Sequence, residues 1–501
     1  MSRSVALVTL GCARNEVDSE ELASRLLADG WELVDDPSGA DAVLINTCGF
    51  IDAAKQESID AVIAAADQGG RVVAVGCLAE RYGRELADVL TEADAVLSFD
   101  DYPQISQRLD AVLAGQHLVS HEPKDRRTLL PITPVDRRAI GHHVPGHNVA
   151  EVAERDVRDA GSPQARDAEP AQRQVGWRPP ILRHRLDDAP IAPVKLASGC
   201  DRRCAFCAIP SFRGAFVSRP VPEVLTEITW LASQGVREVV LVSENSTSYG
   251  KDLGNPRLLE ALLAELGRMQ VVPRVRIAYL QPAEMRPTLV AAIAQTPTVL
   301  PYFDLSFQHA SGPLLRRMRR FGGSSDFLEL LTAIRTLRPD AGVRSNVIVG
   351  FPGESDDDVD ELCAFLDAAA LDAIGVFAYS DEEGTEAAGF ADKVDAELVL
   401  ERTHRVQALA DALMTERAAQ RIGEQIEVLV TGHEDSDDGA VLIGRASHQG
   451  PQDSATVLAI PAGTAAPQRG ALLDARVIGI DGLDLVAEPM PRYASADQPD
   501  S

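Results

Sequence analysis

The stretch Ser198-Gly-Cys-Asp-Arg-Arg-Cys-Ala-Phe-Cys-Ala-Ile-Pro-Ser-Phe-Arg-Gly214 carries Cys200, Cys204 and Cys207 in C-x3-C-x2-C spacing. One loop can turn three thiolates at this spacing onto a single iron-sulfur cluster, and three ligands for four irons leave one iron open to a small molecule. A four-cysteine zinc site would need one more ligand at comparable spacing, and none follows Cys207. The loop comes directly after the apolar run Ile191 to Ala197. Five further runs recur with helical patterns between them: Arg237 to Ser243, Arg274 to Leu280, Phe303 to Phe307, Val343 to Val349 and Ala373 to Tyr379. Six strand-helix units predict a parallel, partly closed (βα)6 barrel over 191–420. Barrels of this type work at their C-terminal face, which puts the cysteine loop at the mouth.

Other polar groups are predicted at that rim. Ser243-Glu-Asn-Ser-Thr-Ser-Tyr249 leaves the second strand, and Glu244 either takes an amino group of a ligand or caps a helix. His309 follows the fourth strand and is a candidate catalytic group, against the commoner structural role of a lone histidine. In Val347-Ile-Val-Gly-Phe-Pro-Gly-Glu354 the turn at Gly350 either admits a ligand to the backbone or simply joins strand to helix. Ser355 and Asp358 then form a capping pair. Val359, Leu362, Cys363 and Leu366 share one helical face, so Cys363 reads as core.

Over residues 1–120 three apolar runs each end on a cysteine: Val5 to Leu10 before Cys12, Ala42 to Asn46 before Cys48, and Val72 to Val75 before Cys77. Helical patterns follow at 18–28, 53–66 and 79–90. The alternation predicts a doubly wound parallel sheet, whose strand ends share one edge, so the three cysteines should converge there on a second 4Fe-4S cluster. The competing reading is three buried core cysteines.

Between these units, residues 121–190 lose periodicity and hold 11 acidic against 12 basic side chains. This composition predicts a flexible linker, in which His142, His143 and His147 read as solvated loop residues. Residues 421–490 show closely spaced strand-like runs with Gly, Pro and Asp turns, predicting a small antiparallel, OB-like barrel. From Glu424 to Glu488 there are 11 acidic residues against 3 arginines. That charge would repel a phosphate backbone and attract a basic protein, or serve as a solubilising surface. The tail 491–501 reads as disordered.

The whole chain of 501 residues has a formal net charge of -28, which disfavours broad contact with nucleic acid. Seven cysteines, an odd number in a long chain, fit a reducing cytoplasm better than a disulfide framework. No apolar run reaches the roughly 20 residues of a membrane span, so no membrane partner is expected.

The chain resembles the radical S-adenosylmethionine (SAM) methylthiotransferases: an N-terminal domain with three scattered cysteines, a radical SAM barrel and a C-terminal TRAM barrel. Gly199 to Gly214, Phe307-Gln-His-Ala-Ser311 and Val376-Phe-Ala-Tyr-Ser-Asp-Glu-Glu-Gly-Thr385 look like the RimO-type branch. The tRNA-modifying branches usually carry Gln-Ser-Gly where this chain has Gln308-His-Ala. Glu244-Asn245 departs from the Gln-Asp or Gln-Asn frequent in the family. The resemblance implies two 4Fe-4S clusters, on Cys12, Cys48 and Cys77 and on Cys200, Cys204 and Cys207. SAM would bind the second of them near Phe206, Glu244 and Gly350. It further implies an electron donor such as flavodoxin and, as substrate, the β-carbon of an aspartate in ribosomal protein S twelve, free or on the ribosome. The alternatives are a tRNA adenosine substrate or a non-catalytic iron-sulfur carrier or scaffold.

Overall fold

The computed structural model describes residues 3–128, 183–436, 439–460 and 466–490. Its N-terminal sheet contains β1 (Arg3–Thr9), β2 (Trp31–Val34), β3 (Ala42–Thr47), β4 (Arg71–Val75) and β5 (Ala95–Val96), in the order β2-β1-β3-β4-β5. Every pairing is parallel. Helices α1 (Ala13–Ala28), α2 (Asp52–Ala66), α3 (Gly76–Val89) and α4 (Ile105–Leu113) flank it. Alternation along the strands sends Leu44, Val73 and Val75 into one apolar cluster and Val43, Ile45, Val72 and Ala74 into the other. A parallel sheet covered on both faces requires such unbroken apolar runs. The edge strands β2 and β5 were not foreseen from the sequence, being only four and two residues long.

The central domain is built on β6 (Ile191–Lys195), the short β7 (Ala197–Ser198) and β8 (Val217–Ser218), β9 (Glu238–Val242), β10 (Arg274–Ile277), β11 (Tyr302–Asp304), β12 (Gly342–Val349) and β13 (Ala373–Ala378). Two parallel sheets, β6-β9-β10 and β11-β12-β13, are joined through the bridges Val275 to Val299 and Leu280 to Leu305. This is the six-stranded partial barrel, open between β6 and β13 among the described residues. The β7–β8 pair, also unforeseen, is antiparallel and closes the base of the cysteine loop. The N-terminal domain packs at the β6 edge, where Lys195 of β6 pairs with Asp18 of α1, both fully buried.

The C-terminal strands β14 (Gln425–Ser436), β15 (Gly439–Ala446), β16 (Thr456–Ala459), β17 (Leu472–Asp481) and β18 (Asp484–Pro489) close a barrel in the order β14-β15-β16-β18-β17. It is not wholly antiparallel: β16 and β18 run parallel. A closed ring with an odd number of strands must contain at least one such pair. This barrel docks on the central one through Arg274 and Arg276 of β10, whose guanidiniums donate to the carbonyls of Arg445 and Ser447. Both arginines share the buried carboxylate of Glu238.

The greater part of the expected linker, residues 129–182 with the three histidines, lies outside the described residues, as does the tail 491–501. At its described ends, Arg126 pairs with Glu80 and Asp100, and Arg183 with Glu20 and Glu227. No described helix is long and apolar enough to cross a membrane.

Candidate active site

Sheet register gathers the first three cysteines. Thr9 pairs with Asn46, and Asn46 with Val75, so β1, β3 and β4 end level with one another. Cys12, Cys48 and Cys77 lie two or three residues further on, beside the crevice where strand order reverses, the usual ligand-binding edge. Cys12 is the N-cap of α1 and Cys77 lies in the first turn of α3, where the helix dipole favours a thiolate. Gly11 and Gly76 have φ of +92° and +91°, and a Cβ there would lie 2.9 Å from Cys48 Sγ and 2.2 Å from Asn46 Oδ1. These two positions therefore require glycine for both backbone and space.

Burial pushes the Cys77 thiol up to about 12, against the opposing pull of Arg213, and also raises Cys48. Cys12 is half-buried, and against the upward push of burial the Arg14 and Arg213 guanidiniums beside it bring it below its ordinary value.

Around the second triad, the amide of Cys200 donates to Gly214 O at 3.0 Å and that of Ala205 to Met318 O at 3.1 Å, which pins the loop at both ends. Burial raises Cys200 and pushes Cys207 up to about 12. Thiols held neutral by burial become good ligands once a metal supplies the compensating positive charge. Among the described residues no three His, Cys, Asp or Glu side chains converge tightly enough for a single metal ion. A 4Fe-4S cube spreads its ligands over several irons and does not require that convergence.

A cavity of about 220 Å³ lies between the two domains. Phe50 and Ile51 of the N-terminal domain line one side. Cys200, Cys204, Phe206 and Cys207 line the other, with residues from the carboxyl ends of β9 to β13. Three of the lining residues carry buried polar atoms without a hydrogen-bond partner among the described residues: Arg14 Nε, Glu244 Oε2 and Asn346 Oδ1. Such atoms are costly to leave unmet, and they fit a polar ligand such as SAM. Glu244 Oε1 stands 3.8 Å from Arg14 Nε, and the Arg14 guanidinium lies 5.1 Å from the centre of the Tyr279 ring. Tyr279 and Gln308, both lining the cavity, hold φ of +60° and +71°, strained values for residues with side chains.

Two sequence candidates stand elsewhere. His309 is fully buried with Nδ1 accepting from the Ser311 amide at 3.1 Å and Nε2 3.5 Å from Glu354, away from the cavity. Neighbouring residues leaving a strand face opposite sides, so Gln308 lines the cavity and His309 turns from it. Gly350, at φ +84°, packs on Val399, and its amide donates to Glu354 Oε2 at 2.9 Å. Sequence reasoning missed Arg14, Tyr279 and Asn346, which gain meaning when the domains meet, and also the clasp at the rim. There Glu382 accepts from Lys55 Nζ and Arg81 Nη1, both at 2.8 Å.

Residues 4–98 match the Uncharacterized protein family UPF0004, and residues 194–366 match the Radical SAM superfamily. The chain is 59% identical over 500 residues to the ribosomal protein uS12 methylthiotransferase RimO of Salinispora tropica, covering 99% of this chain and 97% of that protein. To the protein of the same description from Streptomyces coelicolor it is 56% identical over 497 residues, covering 98% and 97%. A solved radical SAM methyltransferase, TsrM from Kitasatospora setae, shares the fold with a TM-score of 0.50 over 75% of each chain at 15% identity. Identity above one half along nearly the entire length places the chain in the family: it belongs to the radical SAM methylthiotransferases of the RimO type.

Proposed function

We propose that the chain installs a methylthio group on the β-carbon of an aspartate in ribosomal protein S twelve, using two iron-sulfur sites, of which the central one lines a cavity that the N-terminal domain helps to enclose. Cys200, Cys204 and Cys207 hold the 4Fe-4S cluster that binds SAM, and Cys12, Cys48 and Cys77 hold a second 4Fe-4S cluster. When bound, these groups would supply radical removal of hydrogen from an unactivated carbon and the sulfur for the methylthio group, with the two cysteine triads as their holders. The observation that carries this reading is the cavity lined jointly by the central cysteine loop and by Phe50 and Ile51, two and three residues after Cys48.

The chain's own residues bind and shield. Glu244, with its unpartnered buried oxygen, accepts from the amino group of SAM, while Phe206 packs beside it. Gly350 contributes only by fixing the turn behind the rim. Phe50, Ile51, Ile348 and Phe377 keep water from the reacting carbon. Acidic side chains of the C-terminal barrel orient a Lys/Arg-rich substrate, free or on the ribosome, and a small cytoplasmic reductase such as flavodoxin delivers the electron. The division into units at 1–120, 121–190, 191–420, 421–490 and the tail 491–501 belongs to the same proposal.

The test is an anaerobic assay of reconstituted protein with SAM and reductant, offered ribosomal protein S twelve and unmodified tRNA in parallel and read by mass spectrometry. One methylthio group on the protein's aspartate is the expected result. Modification of tRNA alone would overturn the substrate assignment, and reduction without SAM cleavage would leave an electron carrier.

A further inference from the structure

Arg213 is the last residue of α5 (Ile209–Arg213), the short helix that leaves the central cysteine loop. Its guanidinium nevertheless points into the other domain. Nε lies 3.3 Å and Nη2 3.0 Å from Cys77 Sγ, Nη2 also donates to Asn15 Oδ1 at 2.8 Å, and Nη1 stands 3.0 Å from Asp18 Oδ2. The group is stacked over Phe99, 4.9 Å from the ring centre, and its side chain is 2% exposed. A planar fork held on three sides and stacked on an aromatic face has a single available orientation. In that orientation it presents two N–H donors to one sulfur.

We infer that Arg213 is a positioning residue of the N-terminal site, lent to it by the loop that builds the central one: it fixes the Cys77 sulfur and withdraws electron density from it. Hydrogen bonds to ligand sulfur raise the reduction potential of an iron-sulfur cluster and fix the ligand's orientation. Among the described residues the central triad receives from arginine a single, longer bond, from Arg320 Nη1 to Cys204 Sγ at 3.7 Å, rather than a pair of donors on one sulfur. The inference rests on the reading that Cys12, Cys48 and Cys77 bind a cluster. The competing role for Arg213 is an ion pair with Asp18 and nothing more, and that role would not alter a potential.

The experiment uses the full chain with Cys200, Cys204 and Cys207 changed to Ala, so that iron can be held only by the N-terminal triad. Iron and sulfide content, the reduction potential and the electron paramagnetic resonance spectrum of the reduced protein are compared among Arg213, R213Q and R213K. The expected result is a cluster in all three, with a shift to more negative potential in R213Q and a smaller one in R213K. Lysine keeps the charge facing Asp18 but cannot donate twice in the same plane, and it decides the matter if R213Q fails to fold. A cluster whose potential and spectrum are the same in all three proteins would overturn the inference. No iron even with Arg213 in place would instead overturn the reading of the triad. In the reciprocal background, with Cys12, Cys48 and Cys77 changed to Ala, R213Q should leave the central cluster's potential unmoved. A shift there as large as in the first background would show that Arg213 serves its own loop, and would overturn the inference as well.

Discussion

The two cysteine triads are built by opposite means. The central triad lies within eight residues of one loop, closed at its base by the β7–β8 pair and tied at Ala205 to Met318. The N-terminal triad is drawn from Cys12 to Cys77 and exists only because β1, β3 and β4 end level in a parallel sheet. A site made by one loop depends on local backbone, whereas a site made by register depends on the integrity of a whole domain. Charge separates the triads at one position: Arg14 and Arg213 bring Cys12 below its ordinary value, whereas burial raises Cys48 and Cys77 as it raises Cys200 and Cys207.

The largest effect should come from removing one ligand of each triad. Cys204→Ala is expected to abolish both SAM cleavage and methylthio transfer, while Cys48→Ala abolishes transfer and keeps cleavage. Anaerobic chromatography of 5'-deoxyadenosine beside mass spectrometry of the substrate separates the two, and loss of cleavage in Cys48→Ala would break the division of labour. Next, Lys195→Met leaves the fully buried Asp18 with Arg213 as its remaining cation, and should destabilise the chain by about 3–5 kcal/mol in urea unfolding. A change below about 1 kcal/mol would mean that the domain junction does not depend on this pair.

Smaller effects sharpen the contrast further. Gly76→Ala and Gly199→Ala both place a Cβ 2.2 Å from a neighbouring oxygen at positive φ, and each should cost about 1–3 kcal/mol of local strain. Iron analysis should then show loss from the N-terminal site in the first variant and from the central site in the second. Simultaneous loss from both sites would mean that they are not independent structures. Smallest of all, Ser355→Ala removes the N-cap of the helix Asp356–Ala369, whose capping box with Asp358 is fully formed. About 1 kcal/mol is expected in thermal unfolding, with iron at both triads unchanged.

How far each site could be read from sequence follows from how it is built. The C-x3-C-x2-C loop announces itself by spacing alone. The convergence of Cys12, Cys48 and Cys77 could be inferred because strand-helix alternation implies a parallel sheet with one shared edge. The six barrel strands were legible from apolar runs separated by helical patterns, even β10 and β11 at four and three residues, whereas β2, β5, β7 and β8 are as short or shorter and have no such run of their own. His309 and Gly350 show the limit of placing a residue at a strand end: one position along the chain reverses the direction of a side chain, and Gln308 rather than His309 meets the cavity. Asp18, Lys195 and Arg213 were unreadable as a group, since nothing local in any of the three segments refers to the others.

That last group has a consequence for biosynthesis. Asp18 precedes Lys195 by 177 residues, and translation at roughly 5–20 residues per second separates their synthesis by about 9–35 s. Throughout that interval the nascent N-terminal sheet has neither of the cations that later cover Asp18, and water must solvate this edge in their place. The interval ends as Lys195 and then Arg213 are made, before most of the chamber's central wall, from Glu244 to Glu382, exists, so the N-terminal sheet gains its cations while the chamber still lacks the greater part of its lining.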